Sequence, residues 1–137
     1  MISLKVNLKK RTKGRLLAIN SLYRYELLGD EPLEIIQKEG KGEEKEIAIQ
    51  YLKNILPNLP LIDEIIKKHL KGWDFERVLP FEKAILRFGT GELLLYPETP
   101  TPVIIEELLK ITNIFTGEKA VKFINGVLDK IGKDLRK

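Results

Sequence analysis

The residues best suited to chemistry are six basic side chains within the first 15 positions, which hold no acidic residue: Lys5, Lys9, Lys10, Arg11, Lys13 and Arg15. Lysine and arginine neutralise phosphate groups and release counterions, which supplies much of the affinity of proteins for nucleic acids. The six charges exceed the formal net charge of +4, so the rest of the chain is slightly acidic. This uneven distribution favours a polyanionic partner, and the alternative is a solubilising tail.

The chain has few of the residue types and motifs that catalysis or metal binding requires. The chain has no cysteine and one histidine, His69, which excludes disulfides, thiolate chemistry and multi-histidine metal sites. Neither serine, Ser3 or Ser21, lies in a G-x-S-x-G motif. There is no P-loop, and Gly-Thr-Gly at 89–91 is only part of a dinucleotide-binding fingerprint. We therefore predict a protein that is not an enzyme and that needs no cofactor or metal ion.

Aromatic and histidine side chains near basic residues are candidates for contacts with RNA bases. Tyr23 lies one to two helical turns beyond the basic run, and Phe123 lies beside Lys119 and Lys122. His69 follows two lysines and precedes another. Spacing alone favours core packing for Tyr23 and Phe123 and a structural role for His69. Contact with RNA stays open as the alternative for all three residues.

Apolar residues recur at helical spacing along most of the chain, which predicts an all-α fold of about seven helices. The first helix is predicted over 11–28 and ends at Gly29, and later ones are predicted after Pro32, over 43–56, 61–70 and 80–96, after Thr101, and from a cap at Thr116. Asp74 is predicted to cap a short turn. Glycine is costly inside a helix, so Gly89 and Gly91 predict a close approach between helices.

Short connectors between these segments predict antiparallel neighbours. We expect one domain over 1–137, with a basic arm over 1–15 and helical halves over about 11–57 and 58–137, divided at the turn between Pro57 and Pro60. The apolar runs are too short for a membrane span, and no signal-peptide pattern follows the N-terminus. We therefore expect a cytoplasmic protein without a membrane partner.

Three segments resemble the NusB family of bacterial transcription antitermination factors. KGRLLAINSLY at 13–23 resembles the family's basic opening, R-x-A-R-x-x-A-x-x-x-L-Y. GWDFER at 72–77, FEKAILR at 81–87 and GEL at 91–93 resemble the family signature W-x-x-x-R, (E/D)-(R/K)-A-(I/V)-L-R and E-L, in that order. GEK at 117–119 and KFINGVLD at 122–129 resemble the closing K-F-V-N-G-V-L-D. The segments follow the family's order and spacing over nearly the whole chain.

The resemblance implies an all-α fold of two packed helical subdomains and a helical conformation for Asn125 and Gly126. It implies binding of the boxA element of ribosomal RNA leaders with ribosomal protein NusE, within an RNA polymerase antitermination complex. Arg11, Lys13 and Arg15 fall on the RNA-binding arm, where Lys9 and Lys10 extend the positive charge. Tyr23, Lys122 and Phe123 also match family positions that contact RNA, and Lys119 adds charge beside the last two. Glu82 matches the position expected to contact NusE, and Glu76 is a weaker candidate for the same contact.

The sequence departs from the family pattern at Gly14, where alanine is usual. Glycine weakens the first helical turn, so the arm could be disordered until it binds RNA. One alternative function is the accessory RNA-binding domain of an RNA methyltransferase. We expect no catalytic domain after Lys137, and residues 1–137 contain no glycine-rich cofactor loop, so this alternative holds only if the chain is a fragment. Another is a structural helical adaptor. The sequence leaves open whether the free protein is a monomer or a homodimer.

Overall fold

The computed structural model describes residues 8–137, which form an assembly of helices. Residues 1–7 lie outside the described part, and with them Lys5 of the basic run. The seven α-helices of the described residues are α1 (Lys10–Leu28), α2 (Pro32–Glu39), α3 (Gly42–Ile55), α4 (Leu59–His69), α5 (Pro80–Leu95), α6 (Thr101–Phe115) and α7 (Glu118–Leu135). Two 3-10 turns, Leu56–Asn58 and Phe75–Arg77, precede α4 and α5. The predicted all-α fold is confirmed.

The helix ends follow the glycine and proline signals of the sequence. Proline occupies the first turn of α2, α4, α5 and α6, where its missing N–H has no intrahelical partner to lose. Asp74 caps the second 3-10 turn as predicted, because its carboxylate accepts the Glu76 N–H at 3.1 Å. Asn125 and Gly126 are helical within α7.

Thr116 does not cap α7, and this prediction is wrong. The N-cap residue is Gly117, and no side chain caps this helix. The Thr116 hydroxyl instead donates to the Thr112 carbonyl at 2.6 Å. The side chain therefore belongs to the end of α6, whose last backbone carbonyls also need partners.

Helix α5 lies at the centre of the fold and packs against α1, α3, α4, α6 and α7. A Cβ at Gly89 would lie 2.8 Å from Leu108 Cδ1, and one at Gly91 would lie 2.8 Å from Ile55 Cγ1. A side chain at either glycine would force Leu108 or Ile55 to shift, so the predicted close approach is confirmed. Helices α1–α3 pack on one another, as do α4–α7, and α1 and α3 join the two groups through α5. The division near residue 57 stays a prediction.

Ion pairs between buried cations of α5 and half-buried carboxylates connect α1 and α4 to this central helix. The Arg87 guanidinium donates to both carboxylate oxygens of Asp63, at 2.9 and 3.0 Å, and to Glu26 at 2.9 Å. Lys83 Nζ also donates to Glu26, at 3.1 Å. Because Glu26 meets Lys83 near the start of α5 and Arg15 meets Glu92 near its end, α1 and α5 are antiparallel. None of the helices in residues 8–137 is long and apolar enough to cross a membrane.

Candidate nucleic-acid interface

The N-cap residue and the first turn of α1 carry a cluster of exposed cations, which we call the basic turn: Lys9, Lys10, Arg11 and Lys13. Lys10 makes an exposed ion pair with Glu43 at 3.0 Å, which adds little stability. A helix N-terminus carries partial positive charge, and the first turn of α1 has no acidic residue. The four cations repel one another and the positive end of the helix dipole. Binding of a polyanionic ligand would reduce this repulsion.

The basic turn is held in place by contacts with α3 and α6. A Cβ at Gly14 would lie 2.4 Å from Ile47 Cγ2, so α1 can approach α3 only because this residue is glycine. The buried Thr12 hydroxyl donates to Glu107 on α6. Residues 10–15 are helical. The expectation of a disordered arm is therefore wrong for this part, because Gly14 serves packing rather than flexibility.

Arg15 departs from its predicted place on the RNA-binding arm. Its guanidinium donates to both carboxylate oxygens of Glu92, at 2.9 and 2.7 Å, and the two side chains are 3% and 0% exposed. Burial lowers the pKa of Arg15, but the hydrogen bond and charge of Glu92 raise it above the ordinary arginine value. The correction is that Arg15 belongs to the interior, since its side chain is buried and Glu92 already neutralises its charge there.

A signal for this buried pair was present in the sequence. Arg15 lies four and seven residues before the apolar positions Ile19 and Leu22, on the buried face of α1. Glu92 extends the apolar face of α5 in the same way, four residues after Phe88. A charged residue in phase with apolar ones on two separate helices predicts a buried partner.

A groove of about 660 Å³ lies between the start of α7 and the segment before α5. Among its lining residues are four predicted site residues: Glu82, Lys119, Lys122 and Phe123. The two lysines are exposed, and Phe123 is half-buried. Its ring lies 5.1 Å from that of Trp73, at an angle of 52°. The groove thus combines cations with an aromatic wall, the two elements of surfaces that bind single-stranded nucleic acids.

Trp73 was not among the predicted site residues, although it is 62% exposed and lines this groove. The signal for it was a lone tryptophan between Gly72 and Asp74, in a loop that buries little. Glu82 is half-buried at the start of α5, and desolvation raises the pKa of its carboxyl. Glu76 lies nearby along the chain, exposed in the second 3-10 turn.

Tyr23 is half-buried and packs at the N-terminal end of α5. Its ring meets that of Phe81 edge-on, with centroids 5.7 Å apart, and Phe81 lies 5.6 Å from Phe115. These contacts favour the packing alternative for Tyr23. A contact of Tyr23 with RNA stays a prediction.

His69 joins the end of α4 to the end of α7. Its Nδ1 lies 2.7 Å from the Ile65 carbonyl oxygen, and its Nε2 lies 2.5 Å from Asp134 Oδ2. The hydrogen bond from His69 holds the pKa of Asp134 below the ordinary aspartate value. Both ring nitrogens are thus engaged within the protein, which favours the structural role for His69 over contact with a ligand.

The comparisons with known proteins agree with this architecture. The NusB family model matches residues 12–133. The transcription antitermination protein NusB of Sulfurimonas denitrificans is 38% identical over 129 residues, 90% of this chain and 97% of the relative. That of Bacillus licheniformis is 34% identical over 127 residues, 92% of this chain and 98% of the relative.

Solved structures show the same fold. NusB of T. maritima superposes with a TM-score of 0.82 at 29% identity and covers 94% of each chain. A chain from a crystal structure of the antitermination factors NusB and NusE in complex with dsRNA has a TM-score of 0.78 at 28% identity, over 93% of this chain and 99% of that one. The family model and the relatives cover nine-tenths of the chain, and the chain therefore belongs to the NusB family.

Proposed function

We propose that this protein is a transcription antitermination factor that binds boxA RNA together with ribosomal protein NusE, as part of an RNA polymerase antitermination complex. The observation that carries the proposal is the match over nine-tenths of the chain with transcription antitermination proteins. The function is binding without catalysis. It places the protein in the cytoplasm, where nascent transcripts are made.

The basic turn is the first of two proposed RNA contacts. Lys9, Lys10, Arg11 and Lys13 are exposed, and their helix packs against α3 and α5 and is hydrogen-bonded to α6. Each phosphate neutralised there releases counterions, so binding becomes weaker as salt rises. Arg15 is not part of this contact, because Glu92 already neutralises it inside the protein.

The groove between α7 and the segment before α5 is the second proposed RNA contact. Lys119 and Lys122 would meet phosphates, while Phe123 and Trp73 offer ring faces on which bases stack. Helix α6 joins the two contacts. Glu107 touches the basic turn through Thr12, and Thr116 lines the groove nine residues later, which is about 13 Å of helix rise.

Glu82 and Glu76 are the proposed contacts for NusE. A half-buried carboxylate at the groove repels RNA phosphates, so it is better suited to a basic protein partner at that end. Binding of both partners to adjoining surfaces makes their affinities interdependent, by a factor of roughly 5 to 150 in typical cases.

The proposal is tested by fluorescence anisotropy with boxA RNA and a scrambled strand of equal length, with and without NusE, at two salt concentrations. We expect preference for boxA and an increase in that preference when NusE is added. A Glu82→Gln variant should lose most of the increase. Equal, steeply salt-dependent binding to both strands, indifferent to NusE, would instead support a helical adaptor with a basic surface.

A further inference from the structure

A chain of hydrogen bonds connects the exposed basic turn with the buried ion pair. Arg11 Nη1 donates to the Tyr51 hydroxyl oxygen at 3.2 Å, and the Tyr51 hydroxyl donates to Glu92 Oε2 at 3.1 Å. Glu92 accepts two further hydrogen bonds from Arg15, at 2.9 and 2.7 Å. The two arginines, one turn apart on α1, are thus linked through side chains of α3 and α5.

Tyr51 is held rigidly within this series of hydrogen bonds. It is 2% exposed, and its ring packs edge-on against Phe88 with centroids 4.9 Å apart. The Arg11 and Arg15 guanidinium carbons each lie 5.8 Å from the centre of the ring. Burial, followed by the charge of Glu92, raises the pKa of Tyr51, so the hydroxyl keeps the proton that it donates. Its oxygen is therefore a fixed acceptor at the edge of the protein.

Arg11 uses this acceptor while its side chain remains exposed. A guanidinium has five N–H donors in a planar fork, and the contact with Tyr51 uses the Nη1 end. The remaining donors can take an RNA phosphate without the loss of side-chain freedom that an unrestrained arginine suffers on binding. The same contact fixes where along α1 the phosphate must lie.

We propose that Tyr51 is a positioning residue for RNA binding, which holds the Arg11 guanidinium in the orientation that receives a backbone phosphate. This inference rests on the proposed function. Tyr51 itself does not touch the RNA and acts through Arg11. Its own position depends on Glu92 and, through Glu92, on Arg15.

The test compares Tyr51→Phe with Tyr96→Phe in boxA RNA binding at several salt concentrations. Tyr96 is a matched control because its ring lies 5.0 Å from that of Tyr51, while its hydroxyl accepts from Asn54 at 2.8 Å. We expect Tyr51→Phe to weaken binding about three- to tenfold, the cost of ordering one freed long side chain, and Tyr96→Phe to bind as the wild type does. The salt dependence of Tyr51→Phe should equal that of the wild type, because Arg11 keeps its charge.

Two Arg11 variants separate positioning from a change in stability. Arg11→Ala should lower the slope of log affinity against log salt by about 0.7–0.9 and remove any further effect of Tyr51→Phe. Arg11→Lys, a surface change, keeps the charge without the planar fork and should lose about as much affinity as Tyr51→Phe, at unchanged slope. The melting temperature of every variant is measured in parallel.

The outcomes distinguish this inference from the proposed function. A wild type that does not prefer boxA RNA overturns both. If the wild type prefers boxA, positioning by Tyr51 is overturned by any of three results: wild-type affinity in Tyr51→Phe, an equal loss in Tyr96→Phe, or an unchanged effect of Tyr51→Phe in the Arg11→Ala background. Wild-type affinity in Arg11→Lys overturns it as well.

Discussion

Lys13 and Arg15 lie two residues apart on the first turns of α1, yet one is exposed and the other is buried against Glu92. Two residues along a helix correspond to about 200° of rotation, so the side chains point to nearly opposite sides. Lys13 faces solvent with the basic turn, and Arg15 faces the central helix. We therefore expect these two cations of one basic segment to perform different tasks, Arg15 in stability and Lys13 in RNA binding.

Replacing each cation by alanine should separate these tasks. Arg15→Ala leaves Glu92 charged and uncompensated in the interior, which should lower the free energy of unfolding by about 3–5 kcal/mol. Lys13→Ala should change it by less than about 0.5 kcal/mol. Urea denaturation measures both. An Arg15→Met, Glu92→Leu double variant should recover much of the stability, because it removes both buried charges.

RNA binding should show the opposite order. Lys13→Ala should reduce the slope of log affinity against log salt by about 0.7–0.9, the contribution of one phosphate contact. The Arg15→Met, Glu92→Leu protein, if folded, should keep the slope of the wild type. A smaller slope in this double variant would mean that Arg15 does contact RNA phosphates.

Alanine at Gly14 should destabilise the protein although alanine is the better helix former. The added Cβ would lie 2.4 Å from Ile47 Cγ2, so α1 or α3 must move, at a cost of about 1–3 kcal/mol. Gly126→Ala on α7 is the matched control. It has open space around the new Cβ and should stabilise the protein by about 0.5–1 kcal/mol. Denaturant unfolding is measured for both variants and for a Gly14→Ala, Ile47→Ala double variant, which removes the clash. If packing rather than helix propensity determines the effect at residue 14, the double variant should recover part of the stability that Gly14→Ala loses.

The helices could be predicted from the sequence because their signals are local. Apolar spacing gives each buried face, while residues such as Gly29, Pro32 and Pro80 mark ends within a few positions of the observed ones. Thr116 shows the limit of this method. Its hydroxyl lies between the end of α6 and the start of α7 and could hydrogen-bond to either. Only the three-dimensional structure shows that it bonds to α6.

The site could be predicted only in part because burial of a charge depends on distant partners. Arg15 and Glu92 are 77 residues apart in sequence, and Thr12 and Glu107 are 95 apart. A basic run alone therefore does not say which of its cations face solvent. The groove likewise exists because α7 brings Phe123 against Trp73 from a separate loop.

Loss of the Phe123 ring should weaken RNA binding without removing charge. Phe123→Leu keeps an apolar side chain against Trp73 but removes the stacking face, and we expect a loss of about 1–3 kcal/mol in binding free energy at constant salt dependence. Lys122→Ala should instead reduce the salt dependence. Lys130→Ala, exposed on the same helix but not among the groove residues, is the control and should bind almost as the wild type does. Equal losses in Lys122→Ala and Lys130→Ala would argue against the groove as the RNA contact.

Glu26 should make stability depend on pH in the acid range. Burial raises the pKa of its carboxyl, but hydrogen bonds from Lys83 and Arg87 outweigh burial and hold the pKa below the ordinary value of 4.5. The folded protein thus binds this proton more weakly than the unfolded chain. The stabilisation is complete above pH 4.5 and is lost as the pH falls below it through the lower folded pKa.

Glu26→Gln should therefore be less stable than the wild type by about 1–2 kcal/mol at neutral pH, because its amide replaces a charged acceptor of two cations. The difference should shrink as the pH falls below 4.5 and through the lower folded pKa of Glu26, since the wild-type carboxylate then becomes neutral as well. Urea denaturation across this range measures the difference. Glu106→Gln, an exposed carboxylate on α6, should differ from the wild type by less than about 0.5 kcal/mol throughout. A difference for Glu26→Gln that stays constant with pH would mean that the Glu26 contacts stabilise the fold by packing rather than by charge.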